Sequence, residues 1–341
     1  MKTVPLGPFK NVSRLTLGGG GIGQGWGETS RDEAMATIHL AIDHGITLLD
    51  TAPLYRNCEA IIGETFDGKL PVDVKITSKC RLGSPPPGEV AAKLSQSLDA
   101  SLSAMRLDHI DLFFLHTNIC DDDYVYAVRP DRQNVFATSW SIYSENFIPT
   151  MEKLMSQGKI GHWGITGTGV PRTIIKALQH TARPAAVQAI TNLLDSVGGM
   201  RNFSEEATPR AIIETAVGNN IGVMGIRAVQ AGALTTAIDR TLPPEHAEAR
   251  DFALAAPYRA LCREIGEDPA LIAHRYALSM TGVDTVILGV KNREELAQCL
   301  DAEAQGPLDP ALIRRIDGLG LRSSPSISAP DTHSDAPNAV R

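Results

Sequence analysis

Leu48-Leu49-Asp50-Thr51-Ala52-Pro53-Leu54-Tyr55 is a short apolar run that finishes on a carboxylate, breaks at a proline and delivers a phenol. Two later stretches share its form. Ile76-Thr77-Ser78-Lys79 ends on an ammonium, and Asp111-Leu112-Phe113-Phe114-Leu115-His116 ends on an imidazole. The strands of a parallel barrel bring their C-terminal ends to one face, and that face hosts catalysis. An acid, a phenol, an ammonium and an imidazole gathered there are equipped to move protons.

Outward from these stretches, short apolar runs alternate with longer amphipathic ones. Predicted strands cover 14–17, 47–49, 72–77, 109–114, 161–165, 186–189, 222–226 and 285–288. Helical periodicity fills 31–44, 90–105, 146–157, 171–180 and 209–219, with a further pair over 258–266 and 269–280. Most strands follow the last by about 25 to 40 residues, the spacing of βα units. Such alternation implies a parallel sheet, and eight strands predict closure into a (β/α)8 TIM barrel. The rival is an open doubly wound sheet, which usually opens its first helix with a Gly-rich dinucleotide turn. Gly18-Gly19-Gly20-Gly21-Ile22-Gly23-Gln24-Gly25 matches that turn loosely, but no good helix starts directly behind it. It reads instead as a strand-to-loop segment over the barrel mouth.

A single catalytic domain is expected over 1–322, followed over 323–341 by a tail rich in Ser, Pro, Ala and Asp that reads as flexible. Two segments exceed what a barrel needs. One, 117–141, is a long βα loop on the active face; its Asp121-Asp122-Asp123 reads as solvated loop charge. The other is an insertion over 240–257. Trp26, Trp140 and Tyr124 are candidates either to line the pocket or to pack on their own loops.

The 341 residues carry a net charge of −7, with 43% hydrophobic and 21% charged residues. That balance suits a soluble globular protein and argues against a nucleic-acid partner, which calls for a basic patch. The five cysteines are scattered, without a Cys-x-x-Cys pair, so neither a zinc site nor a redox motif is expected. No apolar run approaches the ~20 residues of a membrane helix, and the N-terminus lacks a signal-peptide pattern. A cytoplasmic location is expected, with no membrane partner. Oligomeric state is not readable from these residues.

The stretch 45–63, Gly-Ile-Thr-Leu-Leu-Asp-Thr-Ala-Pro-Leu-Tyr-Arg-Asn-Cys-Glu-Ala-Ile-Ile-Gly, resembles the signature of the aldo-keto reductase family. The stretches ending at Lys79 and His116 resemble that family's second and third catalytic strands, and the likeness runs from about 14 to 321. The resemblance implies an NADPH-dependent carbonyl reductase with Asp50, Tyr55, Lys79 and His116 as its catalytic residues. Elementary chemistry agrees. A carbonyl oxygen gains negative charge as hydride arrives, and a positioned group must donate to it. Tyr55 can serve, Lys79 is expected to lower its pKa, Asp50 to hold Lys79, and His116 to orient the carbonyl. Singly, each has a structural reading: a helix cap, a surface aromatic, a core histidine. Lys75 competes with Lys79 but lies toward the closed end. Jointly, at three successive strand ends, they read as a site.

The resemblance also implies cofactor contacts at Thr166, Gln188, Arg227, Val229, Gly289, Lys291, Asn292 and Glu295. Thr166 and Gly167 stand where the family has Ser-Asn, and Gln298-Cys299 where it has Glu-Asn. Arg227 stands where Ser is frequent and can fork onto phosphate oxygens; a surface salt bridge is its other reading. A helix opening after Asn292 is expected to offer free amides to an anion. Lys291 and Arg293 favour NADP(H), with NAD(H) left open. The substrate class is an aldehyde, ketone or sugar, in either direction. A nucleotide-sensing regulatory subunit is the alternative from another class; it would hold cofactor without turnover. A metal-dependent hydrolase would need ligands on several strand ends, and only Asp50 and His116 offer themselves.

Overall fold

The computed structural model describes residues 1–25 and 27–322. Eight parallel strands close into a barrel: β1 (Leu15–Gly18), β2 (Leu48–Asp50), β3 (Lys75–Cys80), β4 (Ile110–Leu115), β5 (Ile160–Thr166), β6 (Ala186–Ile190), β7 (Gly222–Ile226) and β8 (Thr285–Leu288). Neighbours in sequence are neighbours in space, and β8 returns to β1 with Val286 beside Leu15 and Leu288 beside Leu17. The predicted barrel is the observed one, and the open sheet is excluded. Around it run α1 (Arg31–Asp43), α2 (Cys58–Phe66), α3 (Val90–Met105), α4 (Ile148–Ser156), α5 (Pro171–Leu178), α6 (Pro209–Gly218), α7 (Pro269–Ser279) and α8 (Arg293–Ala304).

The pleat sorts side chains between two apolar layers. In β4, Leu112 and Phe114 turn into the barrel with Leu48, Ala186 and Met224, whereas Phe113 and Leu115 join the layer beneath the helices. Burial on both faces explains why the strand reads as a continuous apolar run. An antiparallel hairpin, Thr3–Leu6 with Phe9–Ser13, plugs the N-terminal end by packing Leu6 and Val12 onto Leu48, Leu112 and Met224. The opposite end is left for the site.

The local structure departs from the sequence reading in several places. The strand expected over 72–77 starts three residues later, because 71–74 forms a turn (Val74 N–H to Pro71 carbonyl, 2.9 Å) and Val72 is fully exposed. Lys79 therefore lies inside the barrel wall rather than beyond its edge. Tyr55 closes a 3-10 turn, Pro53–Tyr55, and α2 begins only at Cys58, since Arg56 adopts φ +50°. The glycine run makes one helical turn, Gly19–Ile22, laid against the Tyr55 segment. A Cβ on Gly19 would sit 2.5 Å from Cys58 Sγ, and one on Gly23 1.8 Å from the Tyr55 carbonyl oxygen. These glycines let two backbones meet. The 117–141 loop carries its own parallel pair, Asn118–Cys120 with Ala137–Ser139, and the insertion contains the helix Ala247–Leu254. The expected tail, 323–341, and Trp26 lie outside the described residues.

Candidate active site

Asp50 ends β2 with its side chain turned into the barrel, and Thr77 and Lys79 share the inward face of β3. Lys79 is fully buried and the Asp50 side chain is 2% exposed. The ammonium has three protons and finds three acceptors: Asp50 Oδ2 at 2.6 Å, the Thr51 carbonyl at 3.0 Å and Tyr55 Oη at 3.2 Å. The second carboxylate oxygen of Asp50 accepts from Thr77 Oγ1 at 2.7 Å and from Gln188 Nε2 at 2.6 Å. A buried ion pair is tolerable only when its remaining valences are satisfied in this way. Burial alone would lower the Lys79 pKa; Asp50 and Tyr55 outweigh it and hold the ammonium above its ordinary value.

Tyr55 is half-buried at the mouth. Burial raises its phenol above the ordinary value, with Lys79 opposing and Asp50 reinforcing the rise. The expected lowering by Lys79 is present, but desolvation wins. Lys75, the rival of Lys79, starts β3 at the closed end, 3.8 Å from Asp111. His116 follows β4, its backbone N–H held by the Cys80 carbonyl at 2.8 Å. Its ring meets that of Tyr55 edge to face, centroids 5.8 Å apart. Burial first, then the charges of Lys79 and Arg81, hold its pKa well below the ordinary histidine value, so the imidazole is neutral. Its Nδ1 is buried without a hydrogen-bond partner among the described residues.

The expected cofactor residues gather on the same rim, though several are committed elsewhere. Thr166 donates to the Leu115 carbonyl at 2.9 Å. Gln188 spends its amide on Asp50, a role the sequence did not suggest. Gly167 has no room for a side chain, since a Cβ would lie 2.8 Å from Val187 Cγ2 and 3.0 Å from the Gln188 carbonyl oxygen. Arg227 is mostly buried and forks between Gln230 Oε1 (2.8 Å) and Glu248 (2.6 Å), in place of the surface bridge of its bland reading. Its loop is closed by the Val229 carbonyl, which accepts from Gly232 and Leu234. Gly289 is exposed directly after β8.

Lys291 bonds Asp239 at 2.8 Å and Glu295 at 3.2 Å, which ties the loops after β7 and β8 together. Two of the amides expected to be free at the start of α8, those of Arg293 and Glu295, have partners within the chain. Asn292 caps the Glu295 N–H, Glu295 accepts from the Lys291 N–H, and Glu33 of α1 accepts from the Arg293 N–H. Arg293 itself turns outward onto Glu33 at 2.7 Å. Cys299 is buried against His274 of α7, 3.5 Å away.

Some site neighbours were invisible in the sequence. Thr77 shares a face with Lys79 by period-two alternation, a signal readable only with the true strand start. Asp239 has no local signature at all. In the long loop, Asp121 pairs with Arg172 and Lys176, and Asp122 accepts from Ser141. Trp140 packs on Tyr143 and His180, and Tyr124 bonds Glu205, so both contact residues beyond the 117–141 loop. Phe136 is ringed by the guanidinium groups of Arg81, Arg129 and Arg132.

Residues 14–320 match the model of the Aldo/keto reductase family. L-galactose dehydrogenase of Arabidopsis thaliana is 23% identical over 316 residues, 90% of either chain. D-arabinose 1-dehydrogenase of Saccharomyces cerevisiae is 26% identical over 314 residues, 87% of this chain and 85% of that one. Among solved structures, an aldo-keto reductase from Klebsiella pneumoniae in complex with NADPH superposes with a TM-score of 0.67 at 18% identity, covering 97% of this chain and 99% of that one. Glycerol dehydrogenase from Gluconobacter oxydans does so with a TM-score of 0.68 at 22% identity, covering 97% and 98%. With its closed barrel and a family match spanning nearly the whole described chain, this protein belongs to the aldo/keto reductase family of oxidoreductases.

Proposed function

We propose that the chain interconverts a carbonyl and an alcohol on an aldehyde, ketone or sugar, with NADP(H) as its redox partner and Tyr55 as the proton donor and acceptor. The observation that carries this reading is the direction of one hydrogen bond. Lys79 donates to Tyr55 Oη at 3.2 Å, which leaves the phenol's own proton free to be given to a substrate oxygen. Held above its ordinary pKa, the phenol carries its proton at neutral pH and can give it up only where the phenolate is stabilised. As its proton leaves, the ammonium fixed by Asp50 and the Thr51 carbonyl meets the developing phenolate. Neutral His116 donates an N–H to the same substrate oxygen and orients it. In the oxidative direction Tyr55 is the base.

When bound, the nicotinamide supplies or removes the hydride at the substrate carbon. The residues present fit such a group. The orphaned, buried Nδ1 of His116 marks polar space at the mouth, and Lys291 stands partly exposed on the rim beyond β8. Lys291 would meet a ribose phosphate, Arg227 and the loop after β7 would hold the pyrophosphate, and Thr166 and Gln188 would flank the nicotinamide. NADPH in the Klebsiella relative supports NADP(H). The names of the Arabidopsis and yeast relatives support a sugar among the substrates.

Tyr55→Phe tests the reading. Turnover on a carbonyl and sugar panel should fall by about 10²- to 10⁴-fold, while cofactor affinity measured by fluorescence titration stays close to that of the parent. Unchanged turnover would sink the assignment.

A further inference from the structure

Glu59 is an ionisable side chain that the proton-transfer scheme leaves unused, yet it is only 6% exposed. It stands in the first turn of α2, four residues beyond Tyr55. Its carboxylate lies outside the barrel wall. Ser78 Oγ donates to Oε1 at 2.6 Å. Ser101 of α3 bonds the same carboxylate and lies 3.1 Å from Ser78 Oγ. Ser78 immediately precedes Lys79, and the pleat turns the two to opposite faces of β3.

The segment bearing Tyr55 is thus joined to the strand bearing Lys79 twice. Inside the barrel, Nζ touches Oη at 3.2 Å; outside, Ser78 is bonded to Glu59 at 2.6 Å. The inner contact joins the tips of two long side chains. The outer one ties a serine hydroxyl, held next to its backbone, to a buried carboxylate that Ser101 of α3 also bonds. α2 also lies hard against α3, since a Cβ on Gly63 would fall 2.5 Å from the Ala104 carbonyl oxygen. Burial raises the Glu59 carboxyl above its ordinary value, with Ser78, Ser101 and Lys79 opposing.

We propose that Glu59 is a positioning residue: by holding Ser78 it sets α2 against β3 and thereby the separation of Tyr55 Oη from Lys79 Nζ. This rests on Tyr55 and Lys79 being the proton-transfer pair. What Glu59 contributes is an acceptor oxygen at the right place, a property that glutamine shares.

The test compares Glu59→Ala, Glu59→Gln, Ser78→Ala and Tyr55→Phe in the full chain. Glu59→Ala should lower kcat about 10- to 100-fold, the scale of a misplacement of about 1 Å, with KM and cofactor Kd changed no more than about twofold. The titratable neighbours that shape the Tyr55 titration are Lys79, Asp50 and Cys58, whose thiol burial pushes up to about 12. With Lys79 displaced, Tyr55 loses the group that opposes its rise, so the pH at which alcohol oxidation sets in moves upward. Glu59→Gln should restore most of kcat and the parental pH profile. Ser78→Ala should act in the same direction as Glu59→Ala and more weakly; it serves as the test should Glu59→Ala fail to fold. Parental kcat and pH profile in the folded Glu59→Ala or Ser78→Ala protein would overturn the proposal, as would a glutamine variant as impaired as the alanine one. Full turnover by Tyr55→Phe would instead remove the catalytic pair on which it rests.

Discussion

Gln188 and Asp50, 138 residues apart, meet inside the barrel with Nε2 donating to Oδ1 at 2.6 Å. The amide thereby completes the coordination of the carboxylate that holds Lys79. Gln188→Met keeps much of the volume and leaves Oδ1 with Thr77 alone. We expect a stability loss of about 1–3 kcal/mol, the cost of under-satisfying a buried acceptor. Urea denaturation measures it; a change within error would show that Asp50 does not depend on the amide.

The Asp50–Lys79 pair, buried and 2.6 Å apart, should be strongly coupled. Lys79→Met strands a carboxylate in the barrel and should cost about 3–5 kcal/mol. In Asp50→Asn/Lys79→Met neither charge remains, and much of that loss should return. A double-mutant cycle by thermal or urea unfolding decides this, and additive losses would contradict it.

The depressed pKa of His116 makes stability depend on pH in a defined direction. Unfolded, the imidazole takes up a proton below about 6.5; folded, it remains neutral to much lower pH. Over that window the unfolded state binds more protons, so stability falls as pH drops below about 6.5, by up to about 1.4 kcal/mol per unit for this one group. His116→Asn should flatten the decline by roughly that slope, leaving the contributions of His162 and His274, whose values are also lowered by burial. Parallel curves for the variant and its parent would show that His116 titrates normally.

Lys291 should read the phosphate that distinguishes NADPH from NADH. Lys291→Ala is expected to raise the Kd for NADPH about tenfold, as for one lost charge-assisted contact, with a much smaller change for NADH. Fluorescence titration with both nucleotides gives the answer, and an equal loss would mean that the ammonium serves only Asp239 and Glu295.

Asp50, Lys79 and His116 were legible because each is a polar end to an apolar run, and a barrel gives such ends a common address. The face on which each lies was less legible, since a three-residue error in the start of β3 hid the pairing of Thr77 with Lys79 on one side and left Ser78 unnoticed on the other. Contacts between distant parts of the chain left no local trace. Glu33 reaches the Arg293 N–H across 260 residues, and nothing near Arg293 announces that its amide is occupied. In the same way, the strands within 117–141 pair, among the described residues, with each other alone, through runs too short to show a period.

The two-sided use of β3 has a consequence for how this protein can change over evolutionary time. Insertion or deletion of one residue between Lys75 and Ser78 would turn Lys79 outward and Ser78 inward together, losing the ammonium from the barrel and the hydroxyl from Glu59 in a single event. Gradual repair is closed off, because no substitution on one face restores the other. The turn just before it, with Val72 in solvent, is under no such constraint. Variation in chain length should therefore collect in 69–74 and stop abruptly at Lys75, a boundary that an alignment of relatives would expose.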